Sequence, residues 1–363
     1  MLASRRCLSA PTALAAPLSR KAPGSMSYPR GRGLSPSTGL DVYTEQNCTS
    51  RHSRKQNRRM SQDQELERRL ATIREIFNTQ KIMTHGQDFS DIEKYYRQSS
   101  WGYRFFHSEH GAIHMALNPD GVFAREGYYG QPNAVAKWFT PKTKKVLELA
   151  SGNGFNTHYL AKRYPDIEFT GLDLVRSEVE FAKKRARGLH NLTFLRCNFQ
   201  ELPFDDNSFD LLYVVESICH ATDMRRALSE AHRVLRTDGT LIVIDAWQTE
   251  IFDELSPLVQ EAATLTQRSM AVGKPWRLDE WLQLCKKTGF MEEYDEDLTA
   301  DIMPNLLRFE HMARRYFARS YLARIAVHIL PARLLENAIA GYLMPLTVSA
   351  GAHTYRMVVL RRP

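Results

Sequence analysis

From Lys145 onward, short apolar runs alternate with amphipathic stretches in a regular order. KVLELA (145–150), EFTGLDL (168–174), LTFLRCN (192–198), FDLLYVVES (209–217) and TLIVIDAW (240–247) are compact runs rich in β-branched residues, and they read as buried strands. Between them, Gly154–Arg163, the stretch from Ser177 as N-cap to Arg187, and Met224–Arg236 carry helical patterns. This alternation predicts an α/β fold, a doubly wound parallel sheet with helices on both faces. Further helices are expected near 277–288 and over 303–342, then a closing strand TYRMVVLR (354–361). Upstream, Leu66, Leu70, Ile73 and Ile76–Phe77 lie at helical spacing in a charged helix, Asp63–Asn78. An aromatic- and His-rich segment, Tyr95–Tyr129, joins it to the first strand.

Composition adds little until charge is located. The chain of 363 residues carries a net charge of +8. Of 49 Lys+Arg, 11 lie in residues 1–62 with only two acids, which leaves 38 bases against 39 acids in the remainder. A body that grips a phosphate backbone keeps its basic face on the folded domain, so no nucleic-acid partner is expected. The first 40 residues hold six Lys/Arg, seven Ser, five Pro and no acid, which reads as a mitochondrial or plastid transit peptide, a cytoplasmic chain being the alternative. Five scattered cysteines form no CxxC pair and suggest reduced thiols. The organisation expected is a transit peptide over 1–40, a linker over 41–62, a helical and aromatic cap over 63–140 and a catalytic domain over 141–363. Insertions at 248–275 and 300–345 would serve as a lid.

The strongest chemical signal is VLELASGNGFNT (146–157) at a strand-to-helix turn. Gly152 and Gly154 let the backbone approach a ligand closely, and Asp173, 19 residues after Gly154, ends the next strand where an acid accepts hydrogen bonds from ribose hydroxyls. The nucleoside could belong to NAD or to S-adenosylmethionine (SAM). A dinucleotide fingerprint would need glycines where Ala150 and Thr157 stand, and Glu148 would repel pyrophosphate yet suits a ligand bearing sulfonium and ammonium groups. SAM is the better fit.

At these residues the chain resembles the class I SAM-dependent methyltransferases. ELASGNG (148–154) is similar to that family's first motif and Asp173 to its ribose-binding acid. Asn198–Phe199 resembles the adenine contact, LPFDDNSFDLLYVVES (202–217) the segment leading into the fourth strand, and WRLDEWLQLCKKTGF (276–290) the helix after the fifth. The resemblance implies a Rossmann-like, mainly parallel seven-stranded sheet with a helical N-terminal cap and a C-terminal helical insertion. It implies SAM as cofactor and S-adenosylhomocysteine as product, held by Glu148, Ala150, Gly152, Gly154, Asp173, Leu174, Asn198 and Phe199.

Glu216-Ser-Ile-Cys-His220-Ala resembles the Glu-Ala-Thr-Cys-His-Ala of sterol 24-C-methyltransferases and the Glu-x-x-x-His of tocopherol-type enzymes. Leaving the C-terminal end of the fourth strand, Glu216 and His220 are the acid/base candidates; supporting the cofactor loop and capping a helix are their alternative roles. Tyr95, Tyr96, His107, His110, His114 and Tyr128 are candidates for lining an acceptor pocket or for packing the cap onto the sheet. Glu109 and Gly111 interrupt any standard ligand motif among these histidines, so no metal is expected. Residues 303–345 mix apolar residues with arginines, a pattern that fits a lid over an oily acceptor, a plain cap or a helix on a membrane surface. The expected activity is methyl transfer to a small lipophilic molecule such as an isoprenoid, sterol or quinol. A macromolecule methyltransferase and a SAM-binding accessory protein are the rivals.

Overall fold

Seven strands form one sheet in the order β3-β2-β1-β4-β5-β7-β6: β1 (Lys145–Leu149), β2 (Glu168–Asp173), β3 (Leu192–Arg196), β4 (Phe209–Val215), β5 (Leu235–Gln248), β6 (Met291–Asp297) and β7 (His353–Arg361). The computed structural model describes residues 61–85, 88–103, 107–108 and 111–363, so the expected transit peptide, most of the linker and His110 lie outside the described residues. β1 to β5 run parallel, and β7 enters antiparallel between β5 and β6. Period-two alternation splits the apolar runs between two cores. Val146, Phe169, Leu211 and Ile242 face one layer of helices, while Leu147, Leu172, Leu212 and Leu241 face the other. The chain winds outward from β1 to β3 and then returns to β4 beside β1, which opens a crevice at the carboxyl ends of those two strands.

A third core is purely helical. Leu66, Leu70 and Ile73 of helix 61–76 pack with Ala262 and Leu265 of helix Pro257–Ser269, Phe317 of helix Thr299–Phe317, and Ile339 and Leu343 of helix Ala332–Ser349. Arg69 sits inside this core, its guanidinium held by Glu65 at 2.8 Å, by Glu310 and by the Tyr342 carbonyl. A buried cation is tolerable only with such pairing.

Several expected boundaries move. The helix after β2 is Arg176–Arg185 with Val175 at its N-cap, not Ser177, because the Asp173 carboxylate already accepts the Val175 amide at 2.7 Å. Helix Met224–Val234 stops two residues early, since Leu235 and Arg236 begin β5. The single helix expected over 303–342 is three, Thr299–Phe317, Ser320–Ile329 and Ala332–Ser349, the last break falling at Pro331. β6 has no counterpart in the apolar pattern. Its acidic sequence MEEYDED forms an exposed edge strand, tied to β7 by Arg356 against Asp295 at 2.7 Å and by Arg361 against Glu293 at 2.6 Å.

Helix Phe155–Arg163 starts from Gly154, whose φ is +77° and whose missing side chain leaves room for the Phe194 ring, which a Cβ here would strike. Gly154→Ala therefore adds left-handed strain to overpacking and should cost about 2–4 kcal/mol of stability. Urea unfolding checks this, and Phe194→Leu in the same background should return part of the loss. An alanine variant as stable as the parent would show that the turn does not require this geometry.

Candidate functional site

The turn after β1 coils because three of five residues adopt positive φ: Ala150 (+51°), Gly152 (+53°) and Gly154 (+77°). Its coil is tied to β2. The Ser151 amide donates to the Leu172 carbonyl at 2.7 Å and the Gly152 amide to Asp173 Oδ2 at 2.8 Å. Burial pushes the Asp173 carboxyl up to about 6, the backbone amides of Val175, Gly152 and Leu174 opposing it. Glu148 turns the other way and fastens the following helix, accepting the Thr157 amide and the Asn156 side-chain amide, both at 3.1 Å. Burial lifts it to about 7.

A cavity opens at this turn, and Glu148, Ala150, Gly152, Asp173, Leu174, Asn198 and Phe199 all line it. Gly154 does not; it lies behind the turn against Phe194. Asn198 Oδ1 accepts the Gln200 amide at 3.0 Å, so the residue shapes its own loop as well as facing the cavity. The buried Ser151 hydroxyl in the same wall has no hydrogen-bond partner among the described residues.

Glu216 and His220, which follow β4, line the same cavity. Glu216 also has positive φ (+48°). Its amide donates to Ile244 O at 2.7 Å, and its Oε1 accepts both the Met115 amide and the Tyr355 hydroxyl at 2.7 Å. Burial, with the like charge of Asp245 added, pushes it up to about 8. His220 Nδ1 faces the Ala271 carbonyl at 3.2 Å, which makes that nitrogen the donor and leaves Nε2 to accept from the Tyr96 hydroxyl at 2.8 Å. Burial drives this imidazole down to about 4, so it is neutral.

The aromatic segment divides. Tyr95, Tyr96 and His114 line the cavity; His107 and Tyr128 do not. His107 Nε2 meets the His114 carbonyl at 2.7 Å and the Tyr128 hydroxyl donates to the His107 carbonyl at 2.7 Å, so this pair braces the segment from behind. Among the described residues no group of three His, Cys, Asp or Glu is arranged to hold a metal ion. Three contributors escaped sequence reading. Asp245, three residues before the end of β5, accepts the Ala246 amide at 2.8 Å and is raised by burial to about 6; an acid inside an apolar strand was a usable signal. Tyr355 on the antiparallel β7 and His353, whose Nε2 lies 2.9 Å from Gln267 Nε2, gave none.

Chemically, the cavity has two ends. Around the β1 turn, the helix after β2 and the last residues of β4 and β5, five carboxyl groups (Glu148, Asp173, Glu178, Glu216 and Asp245) line it, and among its described lining residues there is no Lys or Arg. Beyond Glu216 the wall becomes apolar, with Ile302, Leu306, Met344 and Val348, interrupted by Gln267 and His353.

Residues 147–243 match the family model of a methyltransferase domain, and the chain carries such a domain there. It is 32% identical over 174 residues to a phthiotriol/phenolphthiotriol dimycocerosates methyltransferase of Mycobacterium tuberculosis, covering 46% of this chain and 58% of the relative. It is 28% identical over 166 residues to a sterol 24-C-methyltransferase of Yarrowia lipolytica, covering 43% and 42%. The chain thus spans about half the length of these curated relatives. Its fold is similar to that of geranyl diphosphate C-methyltransferase from Streptomyces coelicolor A3(2), solved with Mg2+, geranyl diphosphate and S-adenosyl-L-homocysteine, at a TM-score of 0.53 and 15% identity over 74% of this chain and 98% of that one.

The raised carboxyls have a measurable consequence. Glu216 is raised from 4.5 to about 8, so the folded state holds its proton more tightly than the unfolded chain. The stabilisation this gives is full below pH 4.5 and is lost as pH rises through about 8. Glu216→Gln keeps an oxygen for Met115 and Tyr355 without the charge. The unliganded variant should therefore melt several degrees above the parent at alkaline pH, with the gap closing in mild acid. Melting curves across this range decide it, and a gap independent of pH would contradict the assignment.

Proposed function

We propose that this chain transfers the methyl group of SAM to a small, lipophilic acceptor that carries a hydrogen-bonding end. The observation that carries the reading is the acid-lined end of the cavity with no described cation in its wall. Buried carboxylates without counter-charge suit a ligand that brings positive charge, and SAM carries a sulfonium and an ammonium. The residues present fit it. Asp173 accepts the Gly152 and Val175 amides, one at each oxygen, and lines the cavity, where its remaining acceptor capacity suits a vicinal diol. Gly152 leaves the turn open to close approach, the unpartnered Ser151 hydroxyl is free to bond, and Phe199 offers a face for a base.

When bound, SAM supplies an electrophilic methyl; the chain's own residues align the acceptor and manage its proton. Glu216 Oε1 is occupied by Met115 and Tyr355, and its raised pKa places it near neutrality, where a carboxyl can take or hold a proton at the acceptor atom. Tyr96, whose hydroxyl hydrogen goes to neutral His220, keeps its oxygen as a hydrogen-bond acceptor that can orient a hydroxyl on the acceptor molecule. The apolar wall of Ile302, Leu306, Met344 and Val348 favours an oily body, while Gln267 and His353 offer partners for a hydroxyl or carbonyl. The relatives named for methylating lipids and sterols support that acceptor class. The basic, acid-free leader supports placing the activity in a mitochondrion or plastid.

Calorimetric titration with S-adenosylhomocysteine is the direct test, with NAD as control. We expect micromolar binding, abolished in Asp173→Ala, and no heat with NAD. In assays with labelled SAM over quinols, sterols and fatty acids, Glu216→Gln should lower kcat by about 100-fold or more, the usual range for a proton-transfer group. His220→Phe should lower it less. A folded protein that binds neither nucleoside would overturn the proposal, and binding without turnover of any acceptor would leave an accessory role.

A further inference from the structure

Helix Ser320–Ile329 carries an apolar face that the described residues leave uncovered. Leu322, Ile325 and Ile329 recur at three- and four-residue spacing on one side and are 54%, 40% and 73% exposed; Tyr321 and Leu330 extend the patch at 74% and 43%. The opposite side is anchored by Ala323, buried in the helical core. From Arg315 to Leu335 the sequence holds no acid. Arg315, in the last turn of helix Thr299–Phe317, and Arg319, the N-cap of this helix, are exposed and have no carboxylate partner among the described residues, while Arg324 reaches Glu75 at 3.2 Å. The helix links Thr299–Phe317 directly to Ala332–Ser349, whose Ile302, Leu306, Met344 and Val348 wall the apolar end of the cavity.

We infer that this patch docks on an anionic lipid surface, with Leu322, Ile325 and Ile329 entering the boundary between headgroups and acyl chains and Arg315 and Arg319 pairing with headgroup phosphates. A ten-residue helix with one apolar side and flanking arginines is suited to lie in that boundary. No helix of the described residues is long and apolar enough to cross a bilayer. The positive edge selects lipid phosphate over the chain's own leader, which is itself basic. Docked this way, the helical layer over the apolar chamber faces the phase in which an oily molecule dissolves.

The test is sedimentation of the full-length chain with vesicles of phosphatidylcholine, alone and mixed with phosphatidylserine, and it does not depend on methyl transfer. We expect binding to the mixed vesicles that weakens with salt. It should fall roughly tenfold or more in the triple variant Leu322→Ser, Ile325→Ser, Ile329→Ser, as loss of that much apolar burial requires, and severalfold in Arg315→Glu, Arg319→Glu. Unchanged thermal melts would confirm intact folds, and the arginine variant, which alters no apolar packing, carries the test if the triple variant does not fold. Undiminished binding by a folded variant would assign the attraction to the basic leader and overturn the inference, as would a parent that does not sediment with vesicles. A triple variant that turns a dimer into a monomer in sedimentation velocity would make a second copy the occupant and overturn the inference equally.

Discussion

The carboxylate of Glu216 is the point at which three separately built parts of the molecule meet. Its backbone continues β4 and bonds to β5 through Ile244. One side-chain oxygen receives an amide from the segment ahead of the sheet, through Met115, and a hydroxyl from the last strand, through Tyr355. Sheet, strap and closing strand therefore share one buried acceptor, and the backbone accepts a left-handed conformation to put it there. Burying that group near Asp245 disfavours its charge, and the fold keeps it because the hydrogen bonds require an oxygen at that place. A site built so holds a proton readily in the absence of ligand and has reason to yield it when a cation arrives.

The same logic extends along the carboxyl edge of the sheet. Asp173 is consumed by tying the glycine turn to β2, Glu148 by fixing the first turn of the next helix, and Asp245 by capping the loop that carries Cys219 at 3.3 Å. Each acid has a structural duty and faces the cavity as well. The scaffold of the site and its electrostatic character are thus set by the same atoms, and removing any one of these groups would alter both.

What the chain displays in one dimension is the central sheet. The runs at 145–150, 168–174, 192–198, 209–217 and 240–247 become β1 to β5 because strands buried on both faces must be apolar almost throughout. The glycine turn and Asp173 are legible for a related reason, as their contacts are local. The edge strand β6 is not, because its partners are Arg356 and Arg361 some sixty residues away and its own pattern is acidic. Ser177 misleads for a neighbouring cause: an Asp four residues earlier captures the amide that sets the helix start. The apolar chamber is opaque in the sequence because its wall combines helices that lie far apart in the chain, and Tyr128 and His107, aromatic and polar as a pocket demands, turn out to buttress that wall.

Helix 61–76 is the first described element, yet the surface it packs against belongs largely to the helices ending at Phe317 and Ser349. During synthesis Leu66, Leu70 and Ile73 therefore leave the ribosome long before their partners exist, and Arg69 emerges without Glu310. The parallel sheet can assemble as the chain lengthens, but the helical core is closed only when nearly all of it is available, a connection of very high contact order. Until then the leading segment is an exposed amphipathic helix, open to whatever holds nascent or translocating chains. Synthesis through the last helix, rather than assembly of the parallel strands β1 to β5, is the step that lets this core close.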